Sequence, residues 1–238
     1  MNSIEMPRIK TRLEVKNQAD GDVAELYLYG TIRQAYWWDD EDDVISAKGV
    51  RKKLDGLKGK DINVHINSGG GDVFESIAIC NMLKQHDGVV NVYVDGMAGS
   101  GASVIATAGK EVFMPSNSMQ MIHKAWTYVV GNADDLRKAA TDLDKIDASV
   151  KASYMSKFIG TEEELEQLIA EETYLTAEEC LAFGLCTEIL DSEDEEEEGE
   201  AQSQANVKES LFAKYRKGKA QEPKAAKNEA AFFNAFKK

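Results

Sequence analysis

The stretch VVNVYVDGMAGSGASVIATA, residues 89–108, decides the fold. Val89 to Val94 is a nearly continuous apolar run of strand length, which predicts a strand buried on both faces. The run breaks at Asp95-Gly96-Met97-Ala98-Gly99-Ser100, and Ala102 to Ala108 then reads as a helix. The same grammar stands just upstream. Ile62, Val64 and Ile66 alternate along a strand that runs into Asn67-Ser68-Gly69-Gly70-Gly71, and a helix follows, carrying Val73, Ile77 and Cys80 as far as His86. Two strand–glycine turn–helix units in succession predict an α/β sheet with right-handed crossovers.

Working outward, Ala24 to Ile32 alternates as an early strand, followed by an aromatic-acidic loop, Tyr36-Trp37-Trp38 and Asp39 to Asp43. Ser46 to Leu57 reads as a helix, with Ser46 as N-cap and Val50, Leu54 and Leu57 on one face. Beyond the central stretch, Glu111–Met114 and Ser118–Ile122 are short strands, and Asp134–Phe158 is a long helix with apolar Leu136, Leu143, Ile146 and Val150. Thr161-Glu162-Glu163-Glu164 and Thr176-Ala177-Glu178-Glu179 are capping-box patterns. They open helices that run to Ala170 and to Gly184, and Leu185–Leu190 closes the domain as a strand.

Eight of the ten residues from Asp191 to Glu200 are acidic, and that run ends the folded unit. From Ala201 the chain is basic and alanine-rich, with apolar clusters at Leu211-Phe212-Tyr215 and Phe232-Phe233-Phe236. It is either a flexible, charge-blocked tail or a pair of short amphipathic helices that dock on a partner. The expected division is therefore an N-terminal segment 1–23, a domain 24–190 and a tail 191–238.

A formal net charge of −14 disfavours nucleic acid as a partner, because a polyanion would be repelled. The three cysteines, Cys80, Cys180 and Cys186, have no metal spacing and read as reduced thiols of a cytoplasmic protein. No apolar run at the N-terminus suggests a signal peptide, and none is long enough to span a membrane. No cofactor or metal is expected.

The candidate chemistry sits at Ser100. This serine lies between Gly99 and Gly101 where a strand ends and a helix begins, so small neighbours admit a substrate backbone and the helix start favours negative charge. The Gly101 amide is a candidate donor to a developing oxyanion, and the Gly70-Gly71 turn on the neighbouring strand is a source of a second. The glycine turn is not followed by Gly-Lys-Ser/Thr, which disfavours a P-loop. His123 ends the strand Met119–Ile122 and is the candidate base. A glycine turn, an elbow serine, a strand-end histidine and a later carboxylate, in that order, form a more specific signal than any one of them. His65 and His86 read as structural, Ser103 lies a helical turn too deep to be a nucleophile, and Trp37-Trp38 suit a substrate groove, core or subunit contact equally.

These residues carry a resemblance. Asn67-Ser68-Gly69-Gly70-Gly71, Gly96-Met97-Ala98-Gly99-Ser100-Gly101-Ala102, Met121-Ile122-His123 and Tyr174-Leu175-Thr176-Ala177-Glu178-Glu179 resemble, in order and spacing, the proteolytic subunit of the Clp protease family. Within it the Trp37-Trp38 loop, Ile45-Ser46-Ala47-Lys48 and Glu172-Thr173-Tyr174-Leu175-Thr176 resemble the phage and prophage head maturation (prohead) branch. The resemblance implies a Clp/crotonase-like α/β fold of repeated βαβ units with a projecting handle helix around Asp134–Phe158. It implies Ser100 as nucleophile, His123 as base, Gly71 and Gly101 as oxyanion donors with Gly70 beside the substrate, and Glu172 as third triad member. Glutamate stands there in place of the usual aspartate, with Glu171 as the alternative, and Gly69 stands where housekeeping Clp subunits carry proline.

It further implies a serine endopeptidase in a homo-oligomeric ring, commonly of seven subunits or stacked sevens, acting on scaffold or capsid precursor in an infected or prophage-bearing host or inside the prohead. The alternatives are a housekeeping-like Clp peptidase fed by an unfolding ATPase, a non-catalytic assembly protein of the same fold, and a crotonase-type acyl-coenzyme A enzyme. A serine and a histidine at the acyl-transfer positions argue against the last.

Overall fold

The computed structural model describes residues 9–17, 23–40, 43–190 and 206–213. Within them, apolar alternation produces one mixed sheet of eight strands: β1 Arg12–Asn17, β2 Val23–Ile32, β3 Asp61–Gly71, β4 Val90–Gly99, β5 Val112–Met114, β6 Met119–Ile122, β7 Thr173–Thr176 and β8 Glu188–Ile189. The helices are α1 Ala47–Asp55, α2 Val73–Lys84, α3 Gly101–Ala106, α4 Ala133–Met155, α5 Glu162–Ala170 and α6 Ala177–Ala182. A further helix, α7, covers 206–213. The α/β class and the crossovers from β2 through β5 follow the sequence expectation, since β2, β3, β4 and β5 run parallel.

One face of the sheet is the core. Leu26 and Leu28 of β2, Ile62, Val64 and Ile66 of β3 and Val92 and Val94 of β4 are fully buried beneath Val50 of α1, Ile79 and Cys80 of α2 and Ile105 of α3. The helix starts were legible because their caps are local. Ser46 Oγ accepts from the Gly49 amide at 3.1 Å, and Thr161 and Thr176 each close a reciprocal capping box, with Glu164 and Glu179 respectively.

The other face corrects the expectation that β4 is buried on both sides. Asn91 and Tyr93 are only half-buried and Asp95 is exposed, because no helix among the described residues covers them. Instead a ladder of rings crosses the strands in register: Tyr27 stacks on His65 at 4.8 Å, His65 on Tyr93 at 5.1 Å, and Tyr93 on Phe113 at 4.7 Å. The Arg12 guanidinium caps the row 3.9 Å from the Tyr27 centroid. His65 lies between two carboxylates, with Nε2 2.8 Å from Glu25 and Nδ1 2.9 Å from Asp95. Burial disfavours its charge, but Asp95 and Glu25 outweigh that and raise its pKa.

Other differences are local. β1 falls in the segment placed before the domain, yet it pairs antiparallel with β2 along its whole length and buries Leu13. β7 was not anticipated as a strand, and the closing strand shrinks to Glu188–Ile189 because β5 offers it only Phe113 and Met114. The Tyr36–Trp38 loop is no core contact: Trp37 is 91% exposed, and the turn is held by a bidentate Arg33–Asp39 pair at 2.6 and 2.9 Å. That guanidinium, helped by the Tyr36 amide, draws the Asp39 carboxyl down to about 2.

In the tail, α7 folds back on the domain. Leu211 and Phe212 are buried, Phe212 meets Phe183 edge-on at 5.6 Å, and Lys208 Nζ donates to the Ile159 carbonyl at 2.8 Å. The acidic run 191–200 and the clusters at Tyr215 and Phe232–Phe236 lie outside the described residues. Among the described residues no helix is long and apolar enough to cross a membrane.

Candidate active site

The sheet splits beside β4. Its first half pairs with β5 and its last residues, Met97 to Gly99, pair in parallel with Met119 to Met121 of β6. Ser100 continues that ladder, its amide donating to the Met121 carbonyl at 2.8 Å, and the chain then turns into α3. The turn forces Ser100 to φ 53° and ψ −123°, a conformation that a side-chain-bearing residue rarely adopts. Its hydroxyl thereby leaves the sheet and meets His123, just past β6, at an Nε2–Oγ distance of 2.7 Å.

The same register reaches the carboxylate. β6 pairs antiparallel with β7, Met121 opposite Tyr174 and Ile122 opposite Thr173. One further step along this pairing sets Glu172 opposite His123. Ser100 and Glu172 are the two non-glycine residues with positive φ among the described residues, and both line one cavity. Glu172 is exposed, and no hydrogen bond joins it or Glu171 to His123 among the described residues. Glu171 does not line the cavity.

Gly70, Gly71 and Gly101 line it too. The glycine turn lies against the elbow: a Cβ at Gly70 would fall 2.5 Å from the Gly99 carbonyl oxygen and 2.7 Å from Ser100 Cβ. Gly70 also has φ 91°. Its amide is not available to a substrate, since it donates to Ser68 Oγ, which in turn donates to the Gly30 carbonyl. The Gly101 amide opens α3 and has no acceptor among the described residues. All six predicted site residues therefore meet at one place, with Gly70 as a spacer.

The cavity has a volume of about 750 Å³ and is walled by Phe74, Val104, Met121, Trp126 and the α4 residues Leu143, Ile146 and Val150. Phe74 and Trp126 are 64% and 71% exposed, so rings stand at its mouth. Sequence reading assigned these residues no role at the site. Phe74 could have been flagged, since it lies three residues past Gly71 in the first turn of the helix after the glycine turn, but the loop carrying Trp126 has no periodic signal. Ser68 was also missed, although a hydroxyl residue just before a glycine run is a common local backbone acceptor. Among the described residues no group of three or more His, Cys, Asp or Glu side chains is placed to hold a metal ion.

A serine at a strained strand-to-helix elbow, hydrogen-bonded to a histidine beside an apolar cleft, is the arrangement of a serine hydrolase. Residues 44–193, more than half of the chain, match the family model described as Clp protease, and the chain belongs to that family of serine peptidases. Its members act on protein substrates and form rings.

Proposed function

We propose that this chain is a serine endopeptidase in which Ser100 attacks the scissile carbonyl. The 2.7 Å contact between Ser100 Oγ and His123 Nε2, at a backbone angle that only a specific surrounding can sustain, carries this reading. His123 takes the hydroxyl proton as Oγ bonds to the carbonyl carbon, and the oxyanion is met by the amides of Gly101 and Gly71. Collapse expels the amine, which takes the proton from His123, and water then hydrolyses the acyl-enzyme by the same route in reverse. The third triad position we assign to Glu172 rather than Glu171, from its place one register step past Ile122–Thr173 and in the cavity lining, although it makes no hydrogen bond to His123 in this arrangement.

The biological role we infer is head maturation in a phage or prophage. A ring of such subunits, commonly seven, encloses the sites and cuts scaffold or capsid precursor in the host cytoplasm or inside the prohead. The Trp37-Trp38 loop and the stretch Glu172–Thr176, which resemble that branch, support this reading. The tail would serve as tether or scaffold. A second reading, a housekeeping-like peptidase fed by an unfolding ATPase, draws support from the half-buried Tyr27–His65–Tyr93–Phe113 row, which offers a partner an aromatic footing. Co-purification with an ATPase ring would favour it.

The decisive test is mass spectrometry of a co-expressed capsid precursor with wild type and Ser100→Ala. Cleavage by the wild type and none by the variant is expected; continued cleavage by Ser100→Ala overturns the assignment.

A further inference from the structure

The elbow of Ser100 has to be held from outside, and one buried side chain reaches both strands that meet there. Ser103, fully buried on α3, places its Oγ 2.6 Å from the Ser100 carbonyl, 3.0 Å from the Met121 carbonyl and 2.8 Å from the Tyr154 hydroxyl. Proton counting sets the direction of this chain. Carbonyls only accept and a serine hydroxyl has one proton, so Ser103 donates that proton, shared between the two carbonyls, and Tyr154 must donate to Ser103. Burial keeps the phenol protonated by raising its pKa.

The two carbonyls are not an arbitrary pair. One belongs to the nucleophile candidate itself, the other to the residue two before His123 that also accepts the Ser100 amide. A single hydroxyl therefore pins the strand bearing the serine to the strand bearing the histidine. Tyr154 in turn lies near the end of α4, where Val150 and Tyr154 are the buried residues of an otherwise largely exposed helix. One and two turns earlier the same helix forms the cavity wall through Val150 and Ile146.

We propose that Tyr154, acting through Ser103, is a positioning residue for the Ser100–His123 pair, so that the seating of α4 sets the reactivity of the nucleophile. The inference rests on Ser100 being the nucleophile. Tyr154 also lines the cavity, but it is almost fully buried and its hydroxyl is engaged by Ser103, which does not line the cavity. Each acts on the backbone that carries the reacting groups.

The test uses the full chain and a fluorophosphonate probe, with wild type, Ser103→Ala, Tyr154→Phe and the double variant compared across pH, well below each one's melting midpoint. The rate constant and the amplitude of labelling are read separately. Loss of folded molecules lowers the amplitude, whereas a displaced elbow lowers the rate constant. Each single variant is expected to label about tenfold more slowly at full amplitude, against the roughly hundredfold that a full 1 Å misplacement costs. Because the two hydroxyls act in series, the double variant should be no slower than Ser103→Ala. Wild-type rate constants for Tyr154→Phe at every pH overturn the inference while leaving the nucleophile in place, as does a double variant whose losses multiply. A wild type that does not label at Ser100 removes the peptidase reading and this inference with it.

Discussion

Gly70→Ala tests whether the glycine turn is shaped by the elbow it faces. At φ 91° alanine is strained, which costs about 1–3 kcal/mol. The new Cβ would fall 2.5 Å from the Gly99 carbonyl oxygen, 2.7 Å from Ser100 Cβ and 2.8 Å from the Gly101 nitrogen. All three belong to the elbow and two are backbone, so the contact is relieved only by moving the chain, at about 1–3 kcal/mol for overpacking. Restricting the unfolded chain returns about 0.4–1 kcal/mol. A net loss of about 3 kcal/mol is central to this range. At about 2–4 °C per kcal/mol for a domain of this size, the midpoint falls by about 6–12 °C. Because the displaced atoms flank Ser100, fluorophosphonate labelling should slow as well, by up to about a hundredfold for a shift near 1 Å. Gly69→Ala is the matched control, since nothing lies within 4 Å of its Cβ and its backbone has no positive φ. Calorimetry and labelling of both variants decide the matter. If Gly70→Ala melts and labels like Gly69→Ala, the packing of turn against elbow is not what makes glycine necessary there.

Two further outcomes concern parts remote from the elbow. His65 has a raised pKa in the fold, so its contribution to stability is complete below its ordinary value of about 6.5 and is lost as pH rises through the raised value. Urea midpoints of the wild type should therefore fall relative to His65→Phe as pH increases past about 6.5; parallel curves would show that Glu25 and Asp95 do not stabilise the imidazolium. Phe212→Ala removes the ring that covers Phe183 and should cost about 3 kcal/mol in thermal or urea melts, with the labelling rate unchanged. A melt identical to wild type would mean that α7 adds nothing to the domain.

Most of what organises the molecule is local and was readable. The hydroxyl caps at Ser46, Thr161 and Thr176 act on amides three residues away, so the helix starts needed no tertiary information. The order of glycine turn, Ser100 and His123 marked the site because each stands at an end of a strand, and strand ends converge on one edge of a parallel sheet. Less legible were elements whose reason for existing is a partner strand. β1 and β7 are short and polar enough to pass as loop, and become strands only through β2 and β6. β4 read as doubly buried because Tyr93 is apolar; its half-exposed ring is held in a ladder of three other rings that no window of sequence brings together.

The amino-acid sequence by itself determined the α/β class, the capped helices and the placing of the glycine turn, Ser100 and His123 at strand ends, because periodicity, caps and glycine turns act over a few residues. Only the tertiary structure decided how those residues stand. The register of β6 against β4 and β7 sets His123 beside Ser100 and Glu172 across from it. The hydroxyls of Ser103 and Tyr154, 51 residues apart, meet only after α4 packs on α3. Strain at φ 53° is likewise a property of the assembled sheet, which holds Ser100 where its own preferences would not place it.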